Sequence, residues 1–484
     1  MRVYLVFPDV HSFHGIPYHP GLASIASVLL NNGHEVKIGY FKSLEEAGNI
    51  LKEISEFKPQ VVGFTAVETQ FRYVKKIASQ IKGIHPCIVI CGGPYVTLGP
   101  EVILENDVFL DGIIAGEGEY ALLQLVEKLK KNEDWLTTNN LIYKDSKTGQ
   151  LARNPLNPFI QDLDCIPHPN TGLFPYQDII DKHNAAMFHF NRGCPYRCSY
   201  CSNTALGEIY GRSYNPVRFR SVENVIEEIN ITISKYKLRD DTVLVFSDDL
   251  FIFDINWLRE FCLLYKRQIG RQFWCTGRSN LVTDEVCALL KDAGCVIMMM
   301  SVESGNDYIR NKVMLRNISR ELLFTSFQIC RRHGLNTLAT CIIGLPFETP
   351  EMIEDSIKTV AQLESITSYG INTFYPYKGT YLRKVCEERG YLPEETGDFE
   401  ERKESVLNLP DLPKETILYY YENWIKLISR HKNKKERLVL FIRKYWDNIR
   451  GTPFGNKIRL IVNNTGFGKK IKKIIMKYIW KRTA

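Results

Sequence analysis

No apolar run in this chain approaches the roughly 20 residues that a membrane-spanning helix requires. The opening stretch MRVYLVFPD reads as a buried strand ending at Pro8 and Asp9, not as a signal peptide. Membrane-embedded and secreted classes are set aside, and the expected location is the cytoplasm. A disulfide framework is missing as well. The thirteen cysteines are odd in number and scattered through apolar segments, a usage that suits reduced, buried thiols. Neither a disordered nor a fibrous chain fits 44% hydrophobic and 24% charged residues. An even spread of charge is lacking too. From Arg430 to Ala484 seventeen Lys or Arg stand against Glu436 and Asp447, a local +15, which leaves the rest of the chain near −8 within a net +7.

What the chain does have is rhythm. Its 484 residues allow two or three domains. Residues 1–131 alternate short β-rich runs such as RVYLVF, QVVGFTA and CIVICGG with amphipathic segments, which predicts a five-stranded, flavodoxin-like (Rossmann-type) parallel sheet covered on both faces. A ligand of such a sheet lies at the carboxyl ends of its strands, where the loops after Phe7, Phe64 and Cys91 meet the GEGE segment. Residues 132–184 break the rhythm: LIYKD and QLARN flank SKTG like a hairpin, and five prolines follow, as in a linker. A second alternation over 185–376 predicts six strands with intervening helices, an open partial (β/α)6 barrel of TIM type whose functional groups sit at the strand carboxyl ends. The remaining stretch, 377–484, reads as helical and basic, with no detectable repeat.

The run RGCPYRCSYCSN places Cys194, Cys198 and Cys201 directly after the first strand of the second alternation and supplies no fourth cysteine nearby. Three thiolates with a vacant position describe an iron–sulfur cluster that leaves one iron open to a ligand, whereas structural zinc closes with four donors. Two other readings stay open at this point. A zinc knuckle would recruit His183 or His189, and a ferredoxin-like electron carrier would add the missing cysteine.

Cys194, Cys198 and Cys201, with Tyr200 before the last, resemble the CxxxCxxC motif of the radical S-adenosylmethionine superfamily, in the loop where that family carries it. The resemblance implies a [4Fe-4S] cluster whose open iron chelates S-adenosylmethionine, and reductive cleavage to a 5′-deoxyadenosyl radical. It extends along the barrel. FSDDLF offers Asp248 to the methionine amino group, although the family's Gly-Gly-Glu is absent. CTGRSN offers Arg278 to the carboxylate, and SVESG offers Glu303 to the ribose or methionine moiety. CIIGLPFET resembles the adenine-packing segment and implicates Ile342 and Gly344, with Glu348 one position late.

The front segment resembles the cobalamin-binding domain joined to one branch of the same superfamily, through PGLASIASVLLNNGHEV, VVGFTAVETQ, CGGPYVT and GEGE. Gly92 and Gly93 remove side chains where a bulky ligand approaches the backbone, and Thr65 and Thr97 offer hydrogen bonds to it. Gly116 and Glu117 complete that set, although glycines in such loops also serve plain strand-to-helix turns. In PDVHSFHG, Asp9 and His11 match the Asp-x-His-x-x-Gly cobalt-ligand pattern of other cobalamin domains. His14 stands at the glycine position, so His11 and His14 are either ligands or loop histidines at the pocket mouth.

Together these resemblances imply a cobalamin-dependent radical enzyme. It would use two molecules of S-adenosylmethionine, one to make methylcobalamin and one to make the radical, and methylate a carbon centre. Cyclisation, rearrangement or oxidation with the same cofactors is the alternative, and an electron carrier or zinc-stabilised module is the non-enzymatic one. The expected partners are a small-molecule or lipid-linked substrate and a low-potential electron donor of flavodoxin or ferredoxin type. Ile471, Ile474, Ile475, Tyr478 and Ile479 form one face of a basic terminal helix, suited either to peripheral contact with an anionic membrane or to docking on the barrel. Nucleic acid is the weaker partner, because no aromatic stacking platform accompanies the charge.

Overall fold

The computed structural model describes residues 1–10, 16–212, 215–394, 399–433 and 437. Seven strands form the first sheet: β1 (Arg2–Pro8), β2 (Glu35–Phe41), β3 (Val61–Thr65), β4 (Ile88–Gly92), β5 (Gly112–Ile114), β6 (Leu141–Lys144) and β7 (Leu151–Arg153), in the order β2-β1-β3-β4-β5-β6-β7. The first five are parallel, the flavodoxin-type order 2-1-3-4-5. The hairpin of β6 and β7 adds two antiparallel strands to β5, so it continues this sheet.

Strand periodicity divides the core. Val3 and Leu5 of β1 face one side, with Leu22, Ala26, Leu122 and Leu125 of helices Pro20–Asn31 and Glu119–Lys130. Tyr4 and Val6 face the other, against Ile50, Ile54, Val74 and Ile77 of helices Leu44–Phe57 and Glu68–Ile84. All five residues of β3 are buried, as a central strand covered on both faces requires. The first of these apolar layers runs without a break into the second domain, where it takes in Ala186, Phe188 and Phe246.

The second sheet holds β8 (Ala185–Phe188), β11 (Val243–Phe246), β12 (Phe273–Gly277), β13 (Cys295–Glu303), β14 (Asn336–Ile343) and β15 (Ile366–Thr373), all parallel and in chain order. Among the described residues β8 and β15 do not pair, so the arc stays open. Between β8 and β11 runs a two-stranded antiparallel ribbon, β9 (Asn191–Cys194) and β10 (Asn215–Phe219), which ends on the first cysteine of the motif. The ribbon was not expected from the sequence, because RGC and NPVRF carry charge, Gly and Pro in place of an alternating apolar pattern.

β15 begins at Ile366, before the GINTFYP run. Its residues up to Asn372 are half-buried, so no apolar face marks its start. After the barrel, residues 402–403 return along β15, their carbonyls accepting from the Thr373 amide (2.7 Å) and hydroxyl (2.6 Å). Among the described residues no helix is long and apolar enough to cross a membrane, and the basic helix expected over 466–482 lies outside them. None of the thirteen cysteines is in a disulfide.

Candidate active site between the two sheets

The cysteine loop is built from its flanks inward. Asp248 Oδ1 accepts the Phe190 amide (2.6 Å) and the Asn191 amide (2.7 Å), turning the chain from β8 into the ribbon. Ser199 then pins the loop to the segment after β13, its amide donating to Met314 O (3.1 Å) and its hydroxyl to Val313 O (2.6 Å). The Cys201 amide donates to Cys198 O (3.1 Å), and Cys201 caps helix Ser202–Ile209. Burial pushes the Cys194 thiol up to about 11 and the Cys201 thiol to about 12, so both stay protonated at neutral pH until a metal displaces the protons. The Arg278 guanidinium lies 3.9 Å from Cys198 Sγ and 3.8 Å over the Tyr196 ring.

This donor set fits the corner-open cluster. The three thiols lie along one loop within eight residues, and thiols that face separate irons need no common centre. His183 ends helix Tyr176–His183, before β8, at the opposite end of that strand from the cysteines.

Tyr200 and Glu303 meet beside the loop, with the Tyr200 hydroxyl donating to Glu303 Oε1 (2.9 Å). Glu303 sits at a register shift of β13, at φ 62°, which turns its carboxylate to that position. Arg316 completes the group, donating to the same oxygen (3.3 Å), to the Tyr200 hydroxyl (3.1 Å) and to Ser301 O (2.9 Å), while its own carbonyl accepts from Arg278. Burial drives the Tyr200 phenol far above its ordinary value, so it acts as a donor and not as a phenolate. Sequence reasoning missed Arg316, which lies in MLRNIS with no motif around it.

Two expected S-adenosylmethionine contacts also make bonds within the protein. Asp248 is buried and spends one oxygen on the backbone; its exposed neighbour Asp249 lines the cavity and accepts from Asn203 Nδ2 (3.0 Å). In a DD pair the sequence does not say which carboxylate faces the mouth. The Gly344 amide donates to Glu348 Oε2 (2.7 Å), as does Leu345 (3.2 Å), so the late glutamate caps β14 and the Gly344 N–H is not free for adenine. Glycine is required there, with φ 82° and Ile417 Cδ1 3.1 Å from where a Cβ would stand. Ile342 is half-buried two residues earlier on β14.

Two adjoining cavities of about 490 Å³ each lie between the sheets and share His19, Pro20, Pro94, His189 and Ser202. The first takes Thr65, Gly92, Gly93, Thr97, Gly116 and Glu117 into its wall, together with Leu5, Gly63, Ile90 and Ile114 from four adjacent strands. A Cβ at Gly92 would meet only carbonyl oxygens, 3.6 Å away or more, so the floor there is flat backbone, which fits a broad ligand. Gly93 (φ 99°) presses within 2.7 Å of Ala66 O at its would-be Cβ, and Thr97 Oγ1 accepts the Gly116 amide (3.2 Å). Asp9 is not in this wall. It lines the second cavity and accepts from the Tyr40 hydroxyl (2.8 Å). His11 and His14 lie outside the described residues.

Glu117 also anchors the two domains to each other. Its carboxylate accepts from Arg192 (3.0 Å), Arg218 (2.9 and 3.1 Å) and the Ile160 amide (2.8 Å), and Glu119 accepts from Arg192 and Ser24 Oγ (2.7 Å). Arg192 lies in β9, two residues before Cys194, so the GEGE loop of the first sheet grips the ribbon that carries the cysteines. Burial alone would raise the Glu119 carboxyl; the Arg192 charge and the hydrogen bonds from Arg192 and Ser24 outweigh it and hold the group below its ordinary 4.5. Glu348 has no such cation among the described residues, and burial carries it up to about 8.

Two outcomes follow from these carboxylates. Glu119→Gln is expected to lower stability by about 3 kcal/mol, the low end for breaking a buried pair because Glu117 still holds Arg192. The increment is present above 4.5 and fades as pH falls through the depressed folded value, so urea melts of parent and variant should converge in acid. Glu348→Gln should behave in the opposite way. The parent keeps its proton up to about 8 while the unfolded chain loses it near 4.5, so its stability falls as pH rises from 4.5 to about 8 and then levels off, whereas the variant's thermal midpoint should stay flat and overtake it.

Comparison with known proteins agrees with this geometry. Residues 188–360 match the model of the radical SAM superfamily, and residues 8–126 match that of the B12 binding domain. An uncharacterized methyltransferase of Pyrococcus horikoshii is 30% identical over 79% of this chain and 82% of its own length. The anaerobic magnesium-protoporphyrin IX monomethyl ester cyclase of Rubrivivax gelatinosus is 24% identical over 79% of this chain and 69% of its own length. Among solved structures, the cobalamin-dependent S-adenosylmethionine radical enzyme OxsB, with aqua-cobalamin and S-adenosylmethionine bound, superposes with a TM-score of 0.71. It covers 98% of this chain and 75% of its own, at 15% identity. With a three-thiol loop at the mouth of an open barrel and a glycine-floored sheet edge facing it, the chain belongs to the radical S-adenosylmethionine enzymes that carry an amino-terminal cobalamin-binding domain.

Proposed function

We propose that this enzyme transfers a methyl group to a carbon centre of a small-molecule substrate held between the two sheets. The observation that carries the reading is the pair of adjoining cavities. One lies on the cobalamin-side strand tips, and both reach Ser202, next to Cys201, so groups bound on either side face a single space. The relative of 30% identity named as a methyltransferase supports transfer over the cyclase reading, which rests on three relatives of 22% to 24% identity.

When bound, the cluster supplies one-electron cleavage of S-adenosylmethionine and the corrinoid supplies the methyl group. Everything else falls to the chain's own residues. Cys194, Cys198 and Cys201 hold the cluster, and Arg278 lies beside Cys198. Tyr200, Glu303 and Arg316 form a rigid polar wall beside the loop, while Phe188 and Met187 present an apolar surface that keeps water from the reacting carbon. Glu117 and Glu119 keep the two binding sides in register through Arg192 and Arg218, so orientation is set before the substrate arrives. No side chain need act as a nucleophile. A low-potential donor of flavodoxin or ferredoxin type is the expected electron source.

Anaerobic reconstitution with iron, sulfide and cobalamin tests this reading. Incubation with a small-molecule extract should give a product heavier by one methylene with two molecules of S-adenosylmethionine consumed. A product that is cyclised or oxidised without that gain would favour the rival. In the Cys198→Ala chain, release of 5′-deoxyadenosine should fall to background.

A further inference from the structure

The cysteine loop has a second face, turned away from the cavities. Three stretches of chain meet there at Ser199, which is buried between Cys198 and Cys201. Its amide donates to Met314 O (3.1 Å) and its hydroxyl to Val313 O (2.6 Å), while its carbonyl accepts the Leu382 amide (3.0 Å). Each stretch carries exposed side chains within two residues of that junction: Arg197 on the loop itself, Lys312 and Leu315 beside the two carbonyls, and Tyr381 next to Leu382. None of these four lines either cavity, whereas Ser202 and Asn203, farther along the loop, line the first.

Charge and backbone both stand out on this face. Arg197 and Lys312 are exposed cations with no carboxylate partner among the described residues. The acidic groups of the same stretches are taken, Asp307 by Arg310, Glu387 by Arg383 (2.7 Å) and Glu388 by Lys384 (3.9 Å). Leu315 is 40% exposed and stands at φ 53°, in the left-handed region that a leucine enters only at a cost, and Asn317 has the same φ two residues on. The turn between them serves its inner side, where Arg316 reaches Glu303. That explains the backbone but not the leucine, since glycine or asparagine would take the same turn with less strain. Tyr308, about a turn before Lys312, and Tyr381 are exposed as well. Strain that holds an apolar side chain out in water beside unpaired cations marks a surface made for something outside the chain.

We infer that the electron enters through this face, and that its partner is a small acidic protein of flavodoxin type, which brings carboxylates to Arg197 and Lys312 and an exposed flavin edge to Leu315 and the tyrosines. Each encounter passes one electron from the reduced flavin to the cluster. No bond forms or breaks; the carrier is oxidised by one electron and the cluster is reduced by one. Cys198 adjoins Ser199 and Cys201 follows two residues later, so the carrier reaches the cluster ligands across the loop and leaves the cavities to the cofactors and the substrate. Electron-transfer encounters are small, under about 1,200 Å² of buried surface, and complementary charge sets their rate and partner. The chain's own basic end, Arg430 to Ala484, would bring cation to cation, as would a second copy about a two-fold axis, so neither is the occupant. The inference rests on a cluster held by the three cysteines and not on whether the product gains a methylene, so the two readings fail separately.

The full chain, reconstituted with cluster and cobalamin, is titrated anaerobically with oxidised flavodoxin by calorimetry, and cluster reduction by photoreduced flavodoxin is followed by electron paramagnetic resonance. Binding should weaken as salt rises. Arg197→Glu and Lys312→Glu should each weaken it about tenfold and slow reduction in step, the scale of one reversed charge at an interface. Arg197→Lys should match the parent, and so should Lys52→Glu in helix Leu44–Phe57 of the first domain. Leu315→Asn should hold or raise the thermal midpoint, because asparagine tolerates the left-handed region, and still weaken docking. Photoreduced deazariboflavin, a small neutral reductant, should reduce the cluster equally in every variant; Lys312→Glu, outside the loop, decides the matter if Arg197→Glu loses its cluster. The inference is overturned if flavodoxin does not bind, if a ferredoxin of matched net charge binds more tightly, if Lys52→Glu costs as much as Lys312→Glu, or if Leu315→Asn docks as the parent does.

Discussion

Two carboxylates and two guanidiniums hold this molecule in its working form. Glu117 and Glu119 belong to the loop after β5; Arg192 and Arg218 belong to the ribbon that leads to Cys194. The contact joins the first sheet to the second at the point where both expose their chemistry. A single ion pair on a surface would be worth little. Here the groups are mostly buried and interlocked, with Arg192 shared between both glutamates and Glu117 also accepting the Ile160 amide. Desolvation is offset because nearly every acceptor has a donor, and the geometry leaves little room for the ribbon to slide.

That constraint gives meaning to the rest of the fold. Each sheet by itself is a common architecture whose ligand lies at the carboxyl ends of its strands. Setting the two carboxyl edges face to face creates the enclosed space, and the apolar layer that passes from Leu5 and Leu22 to Phe188 and Phe246 seals its side. The returning segment closes the other flank, where Glu401 meets Thr69 and Arg383 meets Glu68 of the first domain. Polar ties thus stand on both sides of the cavities, with apolar packing between them.

Much of this was legible in the chain, and the limits are instructive. Periodicity named the strands because buried parallel strands need continuous apolar runs, as in VVGFT. The cysteine spacing named the loop because its donors lie within eight residues. Commitments made across long separations left no local trace. Asp248 reads as a site residue, and one of its oxygens also braces a turn, its partners nearly sixty positions away, while Asp249 beside it lines the cavity. GEGE read as a cofactor loop, and its glycine does face the cavity, yet its carboxylates reach across to Arg192 and Arg218. Arg316 and the β9–β10 ribbon escaped for the same reason: a lone arginine and a glycine- and proline-bearing strand acquire their roles only from what they touch.

One feature of the barrel bears on what the enzyme can admit. Because β8 and β15 never join, the six strands enclose an arc and not a tube. A closed barrel limits its guests to the bore that strand number sets. An arc has a flank, and here that flank is covered by a neighbouring domain and a returning loop. The width of the guest is then set by how those coverings are spaced, so the same six strands can serve molecules of very different girth through changes confined to the lid.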